Sequence, residues 1–537
     1  MGNEVMFRVT FGDVVIHPLK KFSLIFITAI LIGGCAAQPA VTSTPTSTRN
    51  TPAETFVPQQ SAVETPLVIE PTQPVIAINP LTGLPVQDSS LLDLPAALVS
   101  IAHFPVTARP QAGLSFAPFV FEVYITEGAT RFLTTFYGEF PKPEPLITGN
   151  CEVRAEPFVQ TDHILGNRVW WDANQNHLQD AWERGVGGVC VNLYDSNDNL
   201  IQQTTTDSNG YYAFNVAAGK YFIEAIKPDG MEFDRENAGA EDRDSDVDQA
   251  SGRSEAVNVV SSLLDLDVGL ILNNDPIPSS DLPPPYVGPV RSGRLIYADI
   301  AAFFPGSCLI FAYASAEVLV ELPVCSFVDH ILQGGGYMLE IDEMKRLVDE
   351  RRDANTQEYY KSNIFSNDMP EGGAPASRLD VYFAWLNQSA WEYDAASQTW
   401  QRYVDDADPQ SAGVLHPEAD RLNGRQLQFE NVIVLFAYHD VISPTNLDIH
   451  LEHDWVGDAL LFRDGRVYDA RWSTRATEAE VNSGIRKPIQ FYYPDEKTLF
   501  PLKPGHTWVT VVTPLTAVTE QSSGEWLLQF SQPVGAK

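Results

Sequence analysis

The sequence predicts a multidomain α+β protein, in which a split mixed α/β domain holds an inserted all-β sandwich and a β-rich C-terminal domain follows. Three observations support this class. The chain has 537 residues, too many for one ordinary hydrophobic core. Short strand-like runs separated by turn signals fill 164–270, as in a β-sandwich; one run, Tyr211–Val216, follows an Asn209-Gly210 turn. Proline-rich segments, Pro141–Pro145 and Asp275–Pro285, border that stretch and mark it as an insert.

Composition restricts the class of partner. Hydrophobic residues make up 44% of the chain, and 35 Lys and Arg stand against 70 Asp and Glu, a formal net charge of -35. Because such a chain offers no surface that could neutralise phosphates, we expect no nucleic-acid partner. An acidic surface suits calcium or cationic partners, although it also serves solubility alone.

The N-terminus predicts export. Lys20 and Lys21 precede an apolar run, Phe22–Leu31, that ends in small residues, which is the order of a signal peptide over 1–35. The run is shorter than the roughly 20 residues of a membrane-spanning helix. Its end resembles the bacterial lipobox, which implies that Cys35 is lipidated and anchors the protein to the membrane on the extracellular face. An uncleaved hydrophobic anchor is the alternative.

The next segment, 36–75, is rich in Pro, Ser and Thr and lacks periodicity, so we expect a disordered stalk. Beyond it the chain keeps four cysteines, which allow three disulfide pairings: Cys151, Cys190, Cys308 and Cys325. The last two flank one apolar stretch, so a local bridge between them is the first expectation. Four buried thiols are the alternative.

The strongest chemical signal is an acidic loop near the start of the insert. Oxygen-bearing side chains occupy positions 1, 3, 5, 9 and 12 of a twelve-residue segment: Asp172, Asn174, Asn176, Asp180 and Glu183. The backbone carbonyl of Leu178 would serve at position 7. A hard cation takes six to eight oxygens, so this alternation predicts a structural Ca²⁺ site. His177 stands at position 6, where the turn usually takes Gly, and a solvated cluster of Asx turns is the alternative.

A second acidic run predicts a further set of ligands: Asp242, Asp244, Asp246 and Asp248. In a strand, their spacing would place four negative charges on one face, which is costly without a counterion. A flexible solvated loop without a metal is the alternative.

Four motifs in the insert carry a resemblance. They are Gly166-Asn-Arg-Val-Trp-Trp-Asp172, Gly185-Val-Gly-Gly188, Thr205-Thr-Asp-Ser-Asn-Gly-Tyr-Tyr-Ala-Phe214 and Ala218-Gly-Lys-Tyr221. In this order, over 162–271, they resemble the SdrD B-type repeat of Gram-positive surface adhesins, which has an immunoglobulin-like, CnaB-related fold. The resemblance implies a calcium-stiffened spacer or adhesive module that uses the two sets of acidic ligands.

Motifs on either side of the insert carry a second resemblance. Glu127-Gly-Ala-Thr-Arg-Phe132 stands before it and Gly288-Pro-Val-Arg-Ser-Gly-Arg294 after it. They resemble the YerB-like bacterial lipoprotein family, a two-part domain of unknown function in which these motifs normally lie close together. The resemblance implies a split N-terminal domain over 76–145 and 286–370, a C-terminal domain over 374–515, and a tail over 516–537.

Charged residues among apolar neighbours are the candidate ligand residues of the split domain: Glu122, Glu127, Arg131, Arg291 and Arg294. They either form an internal Glu–Arg network, or the arginines bind an anionic or sugar ligand with Glu127 assisting. Glu122 and Glu127 are an odd number of residues apart, so they would need a bend to form an acid–base pair.

We therefore expect a lipid-anchored protein of the cell envelope that acts in binding or scaffolding. Its expected partners are the membrane, through Cys35, and a cell-wall or extracellular protein or glycan ligand. The alternative is an enzyme that modifies peptidoglycan with Glu122 or Glu127 and the three arginines. The sequence contains no HExxH, GxSxG or Walker motif.

Overall fold

The computed structural model describes residues 77–144, 147–153, 158, 160–173, 175–180, 183–240, 243–272, 282–328, 337–352, 360–443, 446–476 and 488–536. The predictions of a signal peptide, of lipidation at Cys35 and of a stalk lie outside these residues, as do Asn174 and Asp242. Within the described ranges, no helix has both the length and the apolar character needed to cross a membrane.

Strands dominate the fold. Before and within the insert they are β1 (Ala97–Ala102), β2 (Phe119–Thr126), β3 (Ala129–Phe136), β4 (His163–Trp171), β5 (Cys190–Asp195), β6 (Leu200–Thr205), β7 (Tyr211–Val216), β8 (Gly219–Ala225), β9 (Met231–Phe233), β10 (Val257–Val259) and β11 (Val268–Leu272).

After the insert come β12 (Tyr286–Val290), β13 (Cys308–Ala312), β14 (Val324–Val328), β15 (Tyr337–Glu340), β16 (Ala374–Pro375), β17 (Arg378–Ala384), β18 (Asn387–Asp394), β19 (Thr399–Asp405), β20 (Leu415–Pro417), β21 (Gln428–Phe429), β22 (Asn431–Phe436), β23 (His439–Ser443), β24 (Asn446–Ile449), β25 (Val456–Arg463), β26 (Arg466–Ser473), β27 (Gln490–Tyr492), β28 (Thr507–Val512), β29 (Ala517–Ser522) and β30 (Glu525–Gln529).

The helices are short. They are α1 (Ile296–Ala302), α2 (Ala316–Leu319) and α3 (Ile341–Asp349), with 3-10 turns at Ser89–Asp93, Val106–Ala108 and Leu114–Phe116. In α3 the buried residues Ile341, Met344 and Val348 recur at helical spacing, and charged residues cover the outer face. With so little helix, the mixed α/β character predicted for the split domain is not confirmed, and the protein is mostly β.

One long sheet connects the two parts of the chain that flank the insert. Its order is β14-β13-β1-β3-β2-β28-β22-β25-β26-β16, and β2 pairs in parallel with β28, placing Phe119 opposite Thr507. A single hydrophobic core runs with this sheet from Leu81 to Phe530. The boundary predicted near residue 374 therefore separates two stretches of sequence that share one sheet and one core.

The segment 516–537 was expected to be a tail, but its described part, 516–536, contains two strands. β29 and β30 end a second sheet of order β20-β19-β18-β17-β30-β29, in which β30 runs parallel to β17. Leu528 of β30 is fully buried.

The insert is a sandwich with its own core, as predicted. Sheets β10-β8-β5-β6 and β7-β4-β11-β9 enclose a hydrophobic cluster that is separate from the host core. β7 occupies the expected Tyr211–Val216 and alternates buried and half-buried residues. Gly210, in the predicted Asn-Gly turn before it, has a φ of 85°, a conformation that favours glycine.

One end of the sandwich docks on the host. Asn209 Nδ2 donates to the carbonyl oxygen of Gln426 at 3.2 Å, and the N–H of Gln426 donates to Ser208 Oγ at 3.0 Å. The Cys151–Cys190 disulfide joins the chain that enters the insert to β5. The expected bridge between Cys308 and Cys325 is also present. The four cysteines therefore form two disulfides, and the alternative of four buried thiols is wrong.

Candidate functional site

The acidic loop leaves β4 at the docked end of the sandwich. The N–H of Asp172 donates to the carbonyl oxygen of Leu270 at 2.9 Å, and that of Trp171 donates to the carbonyl oxygen of Arg184 at 3.0 Å, so both ends of the loop are fixed to the sheet. His177 has a φ of 65°. The sixth position thus makes the left-handed turn that glycine usually makes, with a non-glycine residue.

Hydrogen bonds from backbone N–H groups to two carboxylates hold this loop closed. Asp172, only 1% exposed, accepts hydrogen bonds from the N–H groups of Asn176 at 3.3 Å and His177 at 2.8 Å. Glu183 accepts from the N–H of Ala173 at 2.8 Å and of Asp180 at 3.1 Å. Burial, together with the nearby charges of Asp172 and Asp180, raises the pKa of Glu183 to about 7.

The remaining loop ligands lie on the same turn. Asn176 Nδ2 donates to Asp180 Oδ2 at 2.9 Å, and the N–H of Leu178 donates to Asn176 Oδ1 at 2.9 Å. Arg243 Nη2 donates to Asp180 Oδ1 at 3.1 Å. The structure therefore brings together Asp172, Asn176, Leu178, Asp180 and Glu183.

Asp234 joins this cluster without having been predicted. Its Oδ1 lies 2.7 Å from His177 Nδ1, and single ligand atoms of Asp172, His177 and Asp234 all lie within 4.8 Å of one another. Burial raises the pKa of Asp234 despite its hydrogen bond with His177. Asp234 follows β9, far from the loop in sequence and outside any spacing motif, so only the sheet pairing of β9 with β11 reveals it.

The described aspartates of the second acidic run do not gather at one place. Ser245 and Val247 between them make isolated bridges rather than a strand, so the single charged face that a strand would give is not formed there. Asp244 is buried and accepts from the N–H of Gly239, whereas Asp246 Oδ2 accepts from the N–H of Asp267 at 2.6 Å. Asp248 is exposed and accepts from Ser251 in a turn. Among the described aspartates of this run, Asp244 is the one that lies beside the first loop, through Gly239 and Leu178.

The oxygens of this loop suit a hard divalent cation. Asp234 Oδ2 and Asp244 Oδ1 are buried and have no hydrogen-bond partner among the described residues. Buried acceptors without a partner are costly, and several carboxylates in one small volume repel one another. Calcium binds such oxygens and removes both costs. The residues present therefore fit the predicted ion.

A cluster of arginines lies in the split domain. Arg131 belongs to β3, Arg291 follows β12, and Arg294 precedes α1. Arg131 and Arg291 are 6% and 7% exposed. Burial, with the like charges of Arg294 and Arg291, lowers the pKa of Arg131 to about 9. The three predicted guanidinium groups therefore converge.

These arginines have only neutral partners among the described residues. Arg131 Nη1 donates to Ser292 Oγ at 3.1 Å, and Arg294 Nη1 donates to the carbonyl oxygen of Gly293 at 3.0 Å. Nε of all three is buried and makes no hydrogen bond within the described chain. Tyr297, whose OH lies 3.3 Å from Ser100 Oγ, faces Arg131 and Arg294.

The two glutamates lie elsewhere, so the internal Glu–Arg network predicted for these five residues is wrong. Glu122, 1% exposed in β2, accepts from Thr130 Oγ1 at 2.9 Å and from Trp508 Nε1 at 3.2 Å. Its arginine neighbour is Arg402, whose Nη1 is 3.7 Å away. Glu127 is exposed in the β2–β3 turn.

Arg402 belongs to a buried ionic network that sequence reasoning missed. It is fully buried, its Nε donates to Glu418 Oε2 at 2.5 Å, and its guanidinium carbon lies 4.2 Å from the Trp508 ring centroid. The sequence did contain a signal for this network. Trp400 and Arg402 are two residues apart on β19, so a buried Trp400 indicates that Arg402 also faces inward. His103 completes the network, and burial keeps its pKa well below the usual value.

Family models match three parts of the chain. Residues 163–270 match the SdrD B-like domain, 81–147 match the N-terminal domain of DUF3048, a protein family of unknown function, and 379–509 match its C-terminal domain. The chain therefore carries an SdrD B-like domain between the two parts of DUF3048, and the predicted combination of a YerB-like domain with an SdrD B insert is confirmed.

Individual relatives match the insert. A fibrinogen-binding protein of Staphylococcus epidermidis is 42% identical over 95 residues, 17% of this chain and 9% of that protein. Serine-aspartate repeat-containing protein F of the same species is 44% identical over 99 residues, 18% of this chain and 6% of the relative. This chain thus spans less than a tenth of either relative.

Among solved structures, the YerB protein from Bacillus subtilis aligns with 82% of this chain and 97% of its own, at 16% identity and a TM-score of 0.44.

Proposed function

We propose that this protein is a lipid-anchored surface protein of the cell envelope, and that bound Ca²⁺ stiffens its SdrD B-like module for a role in binding or scaffolding. The observation that carries the proposal is the Glu183 carboxylate, which is buried between Asp172 and Asp180 and closes the acidic loop. Three carboxylates in this position favour the folded loop only when a cation offsets their repulsion.

The chain's own residues would hold the ion in defined roles. Asp172 and Glu183 fix the two ends of the loop through backbone N–H groups, and their carboxylates point into it. Asp180 and Asn176 supply oxygens from the turn between them, and Asp234 brings a carboxylate from another strand. Calcium supplies the positive charge that these oxygens lack.

Calcium would act at the base of the module. Arg168 Nη2 donates to the carbonyl oxygen of Glu183 at 2.9 Å, and its Nε donates to that of Asn209 at 3.3 Å. Asn209 in turn contacts Gln426 of the host. A rigid loop therefore holds the strand ends and the turn through which the module rests on the host, which suits a protein that presents a binding surface.

Three lines of support point to the cell surface. Two disulfides suit an oxidising, extracytoplasmic compartment. The N-terminal sequence has the order of a lipoprotein signal peptide. Relatives of the insert include staphylococcal proteins named for fibrinogen binding and for serine-aspartate repeats, and the shared module suggests an adhesin-like or spacer role here.

The enzyme alternative lacks an assembled catalytic pair. Glu122 is enclosed by Thr130, Trp508 and Arg402, and Glu127 lies on an exposed turn. In the described part of the chain, neither carboxylate lies with the arginine cluster. We therefore favour binding over catalysis.

Thermal unfolding of the purified protein tests the calcium proposal. We expect EDTA to lower the melting temperature of the module, added Ca²⁺ to restore it, and Glu183→Gln to remove most of the response. Glu255→Gln changes an exposed carboxylate of the same module and is the matched control. Identical melting of the wild-type protein in EDTA and in Ca²⁺ would contradict the proposal.

A further inference from the structure

The arginine cluster lies where several chain segments meet at one end of the long sheet. Arg131 pairs with Ala102, the last residue of β1, and the N–H of Arg291 donates to the carbonyl oxygen of Ser100 at 2.8 Å. β13 runs parallel to β1, so its end lies at the same edge. Tyr313 follows β13, and its carbonyl oxygen accepts the N–H of Gly293 at 3.0 Å.

Among the described residues, these arginines combine burial with the absence of a counter-charge. Arg131 and Arg291 are more than nine-tenths buried, and Nε of each lacks a hydrogen-bond partner within the described residues. Each guanidinium carries five N–H donors and a permanent charge. A buried charge with no ionic partner is strongly unfavourable. The half-buried Arg294 adds a third like charge, so the folded protein holds an arrangement that an anion would stabilise.

We propose that Arg131, Arg291 and Arg294 form a binding site for a compact oxyanion that carries at least two negative charges, a phosphate or a polycarboxylate group. Guanidinium forks bind such oxygens through paired hydrogen bonds. Ser292 Oγ, already 3.1 Å from Arg131 Nη1, and the Tyr297 hydroxyl add neutral donors at the same place.

The more exposed side of the cluster is the loop between β12 and α1. Ser292 and Arg294 are half-buried, and the Tyr313 side chain is 55% exposed beside them. Arg131 and Arg291 are the buried members of the cluster. The proposal therefore places the anion on the Arg294 side. The Ser292 carbonyl oxygen accepts from Ser100 Oγ at 3.1 Å, which holds the loop against β1.

The charge of the rest of the protein opposes nonspecific binding of anions. The chain carries a formal net charge of -35, so its surface repels polyanions at long range. Nonspecific attraction of anions is therefore weak, and variants of the cluster can assign any stoichiometric binding of a small oxyanion to it. This inference concerns the DUF3048 part and does not depend on calcium in the insert.

Equilibrium binding to the detergent-solubilised full chain tests it. Radiolabelled inorganic phosphate and citrate are the probes, and acetate is the monovalent comparison. Calcium is removed beforehand with EDTA, which is then dialysed away because it is itself a polycarboxylate. We expect one equivalent of phosphate or citrate to bind, acetate to bind at least tenfold more weakly, and the preferred probe to identify the source of the oxyanion.

Three variants locate the site. Arg294→Gln and Arg131→Met should each weaken binding at least tenfold, and Arg346→Gln, on the exposed face of α3, should leave it unchanged. In anion-free buffer Arg131→Met should melt no lower than wild type, because it removes an unpaired buried charge; a purely structural arginine would give a lower melting point. If Arg131→Met fails to fold, the half-buried Arg294→Gln carries the test. Absence of stoichiometric binding to the wild type, or equal binding by wild type and Arg294→Gln, would overturn the proposal.

Discussion

Arg131 Nη1 lies 3.1 Å from Ser292 Oγ, although 161 residues separate them along the chain. Those residues include the whole sandwich, so the insert leaves the two halves of the host motif in contact. Residues remote in sequence therefore build one arginine cluster, and a separate core lets the insert fold as its own module. The acidic loop and the arginine cluster are accordingly two sites that can be tested independently.

The stability of the metal-free module should depend on pH through Glu183. Its pKa is about 7 in the folded chain against an ordinary value of 4.5. The folded state therefore binds the proton more tightly, and its stability falls as pH rises from about 4.5 to about 7. We expect wild type in EDTA to gain stability relative to Glu183→Gln between pH 8 and pH 5, measured by urea unfolding.

Calcium should reverse this trend, because it binds the ionised carboxylate. Its affinity should fall as pH drops through about 7, where Glu183 takes up a proton. Glu255→Gln should follow the wild type at every pH. A calcium affinity that stays constant between pH 8 and pH 5.5 would remove Glu183 from the ligand set.

His177 should tolerate glycine better than alanine. Its φ of 65° costs a non-glycine residue on the order of 1 kcal/mol, which glycine avoids. Both replacements lose the contact between Nδ1 and Asp234, so the difference between them isolates the backbone. We expect His177→Gly to be the more stable variant by about 1 kcal/mol in urea unfolding, with the tighter Ca²⁺ binding of the two. Equal stability of the two variants would contradict this account of the turn.

Arg402→Ala should destabilise the host strongly. The side chain is fully buried between Glu418 and Glu122 and packs on Trp508, so its loss leaves buried carboxylates without their ion pair. Breaking such a pair costs about 3–5 kcal/mol. Chemical unfolding measures the loss, and Arg346→Ala, an exposed ion-pair arginine, should change stability by less than about 1 kcal/mol. A small effect of Arg402→Ala would mean that water reaches the network.

Cys35→Ser should release the protein from the membrane. The proposed lipid is attached to this sulfur, and serine cannot form the thioether. We expect the wild type in the membrane fraction with incorporated labelled fatty acid, and the variant unlabelled. Cys308→Ser is the control for cysteine loss, since Cys308 belongs to a disulfide. Labelling of the Cys35→Ser variant would refute lipidation at this residue.

The sequence predicted the features that depend on residues close together in the chain. A strand-like run after an Asn-Gly turn predicted β7, and the spacing of oxygen-bearing side chains predicted the loop that Glu183 closes. Asp234 and Arg402 were missed because their partners come from distant strands. The alternation of aspartates in the second acidic run did not indicate a shared charged face. The described part of this segment is not a strand, and it places Ser245 and Val247 in the interior.

The continuity of the long sheet also could not be predicted from local sequence patterns. β2 and β28 carry no shared motif, and only their pairing unites the segments before and after the insert. The sequence left two alternatives for the three arginines, an internal network with the glutamates or a ligand site. The choice between them required knowing that Glu122 faces Arg402, a residue of the C-terminal part.

Topology decides how the sandwich can act under mechanical load. The chain enters it near the Cys151–Cys190 bridge and leaves after β11, next to Trp171, so both connections emerge on the side that rests on Gln426. With the lipid anchor proposed at Cys35, a pull between the membrane and the body of the protein would pass through the host and bypass the sandwich. The insert would then carry little of the mechanical load, and its end remote from Gln426 would stay open to contact with another molecule.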